Sequence, residues 1–83
     1  MKKNNRNYYN GIIFTTVGTI GVNEKKNLHS KNPTNFTNFE DCEQAARDMI
    51  EDYKAQDFKA RITNIRIEHT NNGKSEYFKT VKI

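Results

Sequence analysis

The chain has 83 residues, of which 34% are hydrophobic and 29% charged, so it suits one small domain with a modest core. Its net charge is +4, and its longest apolar run, Ile12-Ile13-Phe14, falls far short of the ~20 residues that a membrane-spanning helix needs. A single cysteine, Cys42, excludes an internal disulfide framework, and no apolar signal stretch follows the basic N-terminus, so a cytoplasmic protein is expected.

The N-terminal part of the chain is predicted to be a basic arm followed by β structure. Residues 1–10 are basic and rich in asparagine, and they are expected to form a flexible arm. Residues 11–22 are rich in Ile, Phe, Thr and Val, which favour strands, although Gly18 and Gly21 interrupt them. They form either one long kinked strand or a tight hairpin that turns near Val17-Gly18, and the hairpin is favoured.

A long polar connection follows. Residues 23–37 show no hydrophobic period, carry Lys25, Lys26 and Lys31, and contain no acidic residue after Glu24. Because so long a connection without regular structure is uncommon in a small domain, it is expected to be a mobile loop that is either functional or disordered.

Residues 38–56 are predicted to form one amphipathic helix. Thr37 followed by Glu40 is a capping-box pattern, in which the hydroxyl accepts a backbone N–H and the carboxylate reaches back to the cap. Apolar side chains recur at alternating steps of three and four residues, which is typical of a helix with one buried side. They are Phe39, Cys42, Ala46, Met49 and Tyr53.

A second hairpin is predicted from residues 58–70 and 75–83. Asn72-Gly73 lies between these segments, and Asn-Gly is a strong hairpin signal because both residues tolerate positive φ. The apolar alternation of the first strand slips by one residue, which predicts a bulge at Thr63-Asn64. The alternating residues are Phe58, Ala60 and Ile62 before the slip and Ile65 and Ile67 after it.

These elements predict an α+β fold in which residues 11–83 form a single domain. The order β(β)-α-β-β gives a three- or four-stranded antiparallel sheet with the helix packed on one face. The last strand is expected to lie centrally, because Tyr77, Val81 and Ile83 would give one face three apolar side chains that need cover. A central last strand leaves no apolar edge for self-pairing, so the protein is expected to be a monomer.

Charge is distributed unevenly along the chain. Residues 1–38 have a net charge of +5, residues 39–57 of −5, and residues 58–83 of +4. Two basic regions therefore flank an acidic centre, and surfaces of opposite sign are expected to select different partners.

The basic regions are the candidate nucleic-acid interface. Lys59, Arg61 and Arg66 are expected to share the sheet face away from the helix, where cations can neutralise phosphates and nearby rings can stack on unpaired bases. The alternative is an ordinary solvated sheet face. The predicted nucleic-acid-binding residues are Lys59, Arg61, Arg66, Lys79 and Lys82 of the hairpin, Lys2, Lys3 and Arg6 of the arm, and Lys25, Lys26 and Lys31 of the loop.

The outer face of the helix is the candidate protein-binding surface. Its carboxylates could dock against a basic groove, or they could form a solvated helix back with pairs such as Glu43–Arg47. The predicted residues are Glu40, Glu43, Asp48, Glu51 and Asp52.

Neither a metal site nor a catalytic centre is expected. His29, His69 and Cys42 are the only nitrogen and sulfur ligands, and their spacing matches no metal-binding or nucleophilic motif. Cys42 lies on the apolar side of the predicted helix, and His69 is expected at the surface beside the turn.

The expected function is therefore that of a small non-enzymatic binding protein without a cofactor. The layout is similar to that of small accessory proteins of phages and other mobile elements, although no residue of a known site maps onto this chain. An accessory protein that contacts nucleic acid is favoured. The alternative is a protein-directed inhibitor or adaptor that acts on a host defence protein such as a nuclease.

Overall fold

A computed structural model describes residues 7–24, 30, 32–57 and 59–82 of the chain. Four strands form one antiparallel sheet in the order β2-β1-β3-β4, and one helix packs on it, so the predicted α+β fold is confirmed. In chain order the elements are β1 (Asn7–Thr15), β2 (Gly18–Gly21), α1 (Phe39–Ala55), β3 (Ile62–Asn71) and β4 (Lys74–Lys82).

β1 and β2 form the hairpin that the sequence favoured within residues 11–22. The Thr15 hydroxyl closes the turn, because it accepts a hydrogen bond from the Val17 amide at 3.1 Å and donates one to the Gly18 carbonyl at 2.8 Å. β1 begins at Asn7, so the last four residues of the predicted arm belong to the sheet.

The predicted bulge in β3 is confirmed. Phe14 pairs with Asn64 whereas Thr15 pairs with Ile62, so Thr63 is the extra residue in the ladder. The strand begins later than predicted, at Ile62 rather than at residue 58. Lys59 and Arg61 therefore precede the sheet and do not share a strand face with Arg66, which corrects the expected arrangement.

The Asn-Gly turn joins β3 and β4 as predicted. Asn72 and Gly73 have φ values of 54° and 86°, the left-handed region that this dipeptide tolerates.

The expected central placement of the last strand is wrong: β4 lies at the sheet edge. β1 pairs with β3 along almost its whole length and thus takes the inner position. A second bulge, at Phe78, changes the alternation within β4, because Ile67 pairs with Lys79 whereas Glu68 pairs with Tyr77. Tyr77 consequently lies on the opposite face from Val81, and the apolar face used to predict the central position does not form.

The helix matches its predicted extent, but its cap differs. Asn38 rather than Thr37 is the N-cap, since its Oδ1 accepts a hydrogen bond from the Asp41 amide at 2.8 Å. The predicted apolar side is buried against the sheet at Cys42, Ala46, Met49 and Ile50.

The core lies between α1 and the middle of the sheet. Ile13 on β1 pairs with Ile65 on β3, and both are fully buried under the helix together with Ile67. Burial of such side chains is worth roughly 1.5–3 kcal/mol each, so this layer supplies much of the folding free energy.

The described part of the connection at 23–37 is anchored to this core. The Asn23 side chain is buried and donates to the Ser30 carbonyl at 2.6 Å. Farther along, Phe36 forms an antiparallel bridge with Tyr9 and extends the sheet beside β1.

Candidate nucleic-acid interface

The pleat of the strands divides the side chains of the sheet between two faces. Tyr9, Ile13 and Ile65 point towards α1, so their neighbours in sequence point away from it. We call this second side the open face, because no element among residues 7–24, 30, 32–57 and 59–82 packs on it. Its members are Tyr8, Asn10, Ile12 and Phe14 of β1, Thr19 of β2, Asn64, Arg66, Glu68 and Thr70 of β3, and Ser75, Tyr77, Thr80 and Lys82 of β4.

Strand pairing places these side chains in rows across the sheet. The rows that carry charge are Phe14–Asn64–Lys82, Ile12–Arg66–Thr80 and Asn10–Glu68–Tyr77. Directly opposed side chains lie about 4.5–5.5 Å apart at Cβ, so each charged group has an apolar or aromatic group in its own row or the next.

Arg66 occupies the middle of the open face. Its Cζ lies 5.3 Å from the centroid of the Tyr77 ring, within the range of a cation–π interaction. Its Nε lies 3.0 Å from Glu68 Oε2, but the Nε–H makes no hydrogen bond with any described residue. Charge and ring contact together therefore hold the guanidinium, while 42% of the Arg66 side chain remains exposed.

Tyr77 is the most accessible ring of this face. The residue is 57% exposed, and its hydroxyl donates to Thr80 Oγ1 at 3.0 Å along the same strand. A ring fixed at its hydroxyl end and open to solvent provides a preformed stacking surface.

Two of the predicted cations, Arg66 and Lys82, lie on the open face. Lys59 and Arg61 lie just before β3, where the Arg61 carbonyl accepts from the Thr16 amide at 3.0 Å beside the β1–β2 turn. Six of the predicted cations lie outside the described residues: Lys2, Lys3, Arg6, Lys25, Lys26 and Lys31.

Lys79 does not belong to the open face, although it was predicted with this group. Its Nζ lies 3.7 Å from Glu43 Oε1 and 5.0 Å from the centroid of the Phe39 ring, so it points towards the helix. The Phe78 bulge explains this placement, because it shifts the alternation of β4 by one residue.

An aromatic cluster occupies the helix side of the same strands. The Tyr9 ring stacks on His69 at 4.5 Å between centroids, and Phe78 meets Tyr9 at 5.1 Å and Phe39 at 5.2 Å. His69 is therefore part of a packed cluster rather than the isolated surface residue that its position beside the turn suggested.

The acidic side of α1 is partly neutralised by its own neighbours. Glu43 Oε2 lies 2.9 Å from Arg47 Nη2, and its other oxygen faces Lys79. Asp48 accepts from Gln44 Nε2 at 3.0 Å. Among the predicted protein-binding residues, Glu40 and Glu51 are exposed, whereas Glu43, Asp48 and Asp52 are half-buried.

The thiol is placed for packing rather than chemistry. Cys42 is fully buried, and burial, with a contribution from the Glu43 charge, raises the pKa of the thiol from 9.0 to about 12. A thiol with this pKa carries almost no thiolate at neutral pH, so it is a poor nucleophile.

The described residues contain neither a cluster of metal ligands nor a helix that could cross a membrane. No three histidine, cysteine or acidic side chains within the described ranges come together as metal ligands. α1 carries too many charges to span a bilayer, and it is the only helix in the part of the chain that the structure describes.

Sequence reasoning missed the aromatic and aliphatic members of β1 on the open face. Tyr8 was assigned to the arm, and Ile12 and Phe14 were not assigned to a face. The available signal was that β1 is apolar at both odd and even positions, which is typical of a strand with contacts on both sides.

Comparisons with protein-family models, curated proteins and solved structures find no match to this chain. Its function therefore has to be inferred from the geometry of the described residues.

Proposed function

We propose that this protein is a non-enzymatic, cytoplasmic accessory protein that binds nucleic acid through the open face. The observation that carries the proposal is the grouping of Arg66, Tyr77 and Lys82 on a sheet face that no described element covers. Cations beside an exposed ring match a ligand with both phosphates and aromatic bases.

The charge of the remaining chain supports this proposal. Arg66 and Lys82 outnumber the single acid of the open face, Glu68. The basic segments 1–6 and 25–31 can add further phosphate contacts, since they hold six lysine or arginine residues. Each phosphate that a cation neutralises releases counterions and makes the slope of log K against log salt more negative, by about 0.9 for B-DNA and about 0.7 for single strands.

Fluorescence anisotropy with labelled DNA and RNA oligonucleotides, at about 50 and 200 mM salt, tests the proposal. We expect binding at the lower salt concentration and an affinity that falls steeply at the higher one. Absence of binding to any oligonucleotide at the lower salt concentration would overturn it.

β4 offers a matched pair of variants for this experiment. Lys82→Ala removes a cation from the open face and is expected to weaken binding and to lower the salt slope by about 1. Lys79→Ala removes the same charge three residues away, on the helix side, and is expected to leave the affinity nearly unchanged. Equal loss in both variants would point to net charge rather than to the open face.

A protein-directed inhibitor or adaptor is the second candidate. Its supporting observation is that Glu40 and Glu51 stay exposed on α1, on the opposite side of the molecule from the open face. If the oligonucleotides do not bind, this candidate predicts that the wild-type protein binds a host nuclease in a pull-down experiment. The charge-reversed double variant Glu40→Lys/Glu51→Lys is then expected not to bind it. Retention by the reversed variant would exclude the acidic face.

A further inference from the structure

The sheet is too wide to enter a duplex groove. Its four strands are spaced about 4.8 Å apart, so the axes of the outer strands lie about 14 Å from each other before side chains are counted. The major groove of B-DNA is about 12 Å wide and admits a helix or a two-stranded ribbon. β1 and β3 each have a strand on both sides, so the long β3–β4 hairpin is not a free ribbon.

The helix α1 is narrow enough to enter the major groove, but its outer side is negatively charged. Glu40, Asp41 and Glu51 are exposed on the outside of α1, so this side would meet the phosphates that line a groove with like charge. Among the described elements, none therefore combines the width and the charge that duplex readout needs.

The open face has side chains that a phosphate backbone alone does not use. Tyr8, Ile12 and Phe14 are half-buried along β1, and Tyr77 is more than half exposed on β4. Contact with a duplex backbone would desolvate these groups against charged phosphates. Unstacked bases, in contrast, can pack on them.

We infer that the ligand of the open face is single-stranded nucleic acid and that a base stacks on the Tyr77 ring. The inference rests on the proposed nucleic-acid function and specifies its ligand. Arg66 acts as a positioning residue, because its guanidinium lies against the Tyr77 ring at 5.3 Å and is itself drawn to Glu68. Lys82 lies two rows along the same strand and supplies charge to a phosphate farther along the nucleic-acid chain.

The test compares three probes of equal length by anisotropy at low salt. They are a single-stranded oligothymidylate, the same backbone without bases, and a duplex of mixed sequence. Because stacking on one ring is worth about 1–3 kcal/mol, removal of the bases is expected to weaken binding about 5- to 150-fold. The duplex is expected to bind at least about tenfold more weakly than the oligothymidylate.

Variants at position 77 separate the ring from the fold. Tyr77→Ile keeps the strand propensity and an apolar side chain but has no ring, and it is expected to lose roughly tenfold or more in affinity for the oligothymidylate only. Tyr77→Phe keeps the ring and is expected to bind within about twofold of the wild type. Circular dichroism of each variant verifies that the sheet is retained.

The outcomes distinguish the two proposals. Equal affinity for duplex and single strand, or unchanged affinity of folded Tyr77→Ile, overturns this inference and leaves the proposed function in place. Failure of all three probes to bind overturns both.

Discussion

Gly11 on β1 and Cys42 on α1 are so close that no side chain fits between the sheet and the helix at this point. A Cβ on Gly11 would lie 2.9 Å from Cys42 Sγ and 2.7 Å from Val22 Cγ2. Real Cβ atoms essentially never come this near to other heavy atoms, and all three residues are buried. The glycine is thus required by the close approach of the helix, not by an unusual backbone conformation.

Gly11→Ala is expected to destabilise the protein by about 1–3 kcal/mol, because the added methyl group overpacks a filled core. Urea denaturation followed by circular dichroism measures this loss as a shift of the midpoint at constant slope.

The control for this variant removes one of the two neighbouring atoms. In the Cys42→Ala background the added methyl group meets no sulfur, so Gly11→Ala should cost less than it does in the wild type. Strictly additive free energies would contradict the close contact between positions 11 and 42.

The second prediction concerns Asn23, a buried polar residue whose side-chain amide is hydrogen-bonded at both its nitrogen and its oxygen. Its Nδ2 donates to the Ser30 carbonyl at 2.6 Å and to the Gly21 carbonyl at 3.2 Å, and its Oδ1 accepts from Thr34 Oγ1 at 3.2 Å. In Asn23→Ala the two carbonyls and the Thr34 hydroxyl lose their hydrogen-bond partner. The free energy of unfolding is therefore expected to fall by about 1–3 kcal/mol.

Asn32→Ala is the matched control for Asn23, since Asn32 is exposed in the same connection. Its cost in urea denaturation is expected to stay within about 0.5 kcal/mol. Similar losses for the two variants would show that the buried amide does not anchor this segment.

The local signals of the sequence predicted the elements well. The Asn72-Gly73 turn, the Thr63 bulge and the buried side of α1 each depend on a few neighbouring residues, and each is present in the structure. The cap was misassigned by one residue, because Thr37 and Asn38 are both good N-cap residues and the sequence does not choose between them.

The order of the strands and the composition of the open face depended on pairings between distant segments. The sequence of β1 or of β4 alone does not determine which of the two is an inner strand and which lies at the sheet edge. The Phe78 bulge had no sequence signal comparable to the slip before Ile65, and it places Tyr77 and Lys79 on opposite faces of the sheet. For this reason the cations of the hairpin were predicted as one group, although the fold separates them.

The pH dependence of stability is expected to report on Cys42. Its pKa is raised from 9.0 to about 12 in the folded protein, chiefly by burial. Above pH 9 the unfolded chain loses this proton whereas the folded protein retains it, so stability should fall between pH 9 and 12. The slope for one proton is about 1.4 kcal/mol per pH unit.

Cys42→Ala isolates this contribution, because every other titrating group is common to the two proteins. The difference in unfolding free energy between the wild type and the variant is expected to shrink as the pH rises above 9. A difference that stays constant up to pH 11 would contradict the raised pKa of Cys42.

Because β4 lies at the sheet edge, it could pair with a second copy of the chain, and the Phe78 bulge is expected to prevent this pairing. An exposed edge strand of nine residues can pair with a second copy, but a bulge interrupts the regular series of N–H and C=O groups that pairing needs. Lys74, Lys79 and Lys82 add like charge along this edge. We therefore expect a monomer in sedimentation experiments at micromolar concentration, and a clear dimer would contradict this expectation.

Deletion of Phe78 tests the protective role of the bulge directly. Lys79 and Tyr77 would then follow each other in the ladder opposite Ile67 and Glu68, so the edge would become regular without a change of register elsewhere. Self-association should increase with this deletion. Phe78→Ala is the matched control, because it removes the same ring contacts with Tyr9 and Phe39 but keeps the extra residue, and it should remain monomeric. If both variants associate equally, the lost ring rather than the regular edge is responsible.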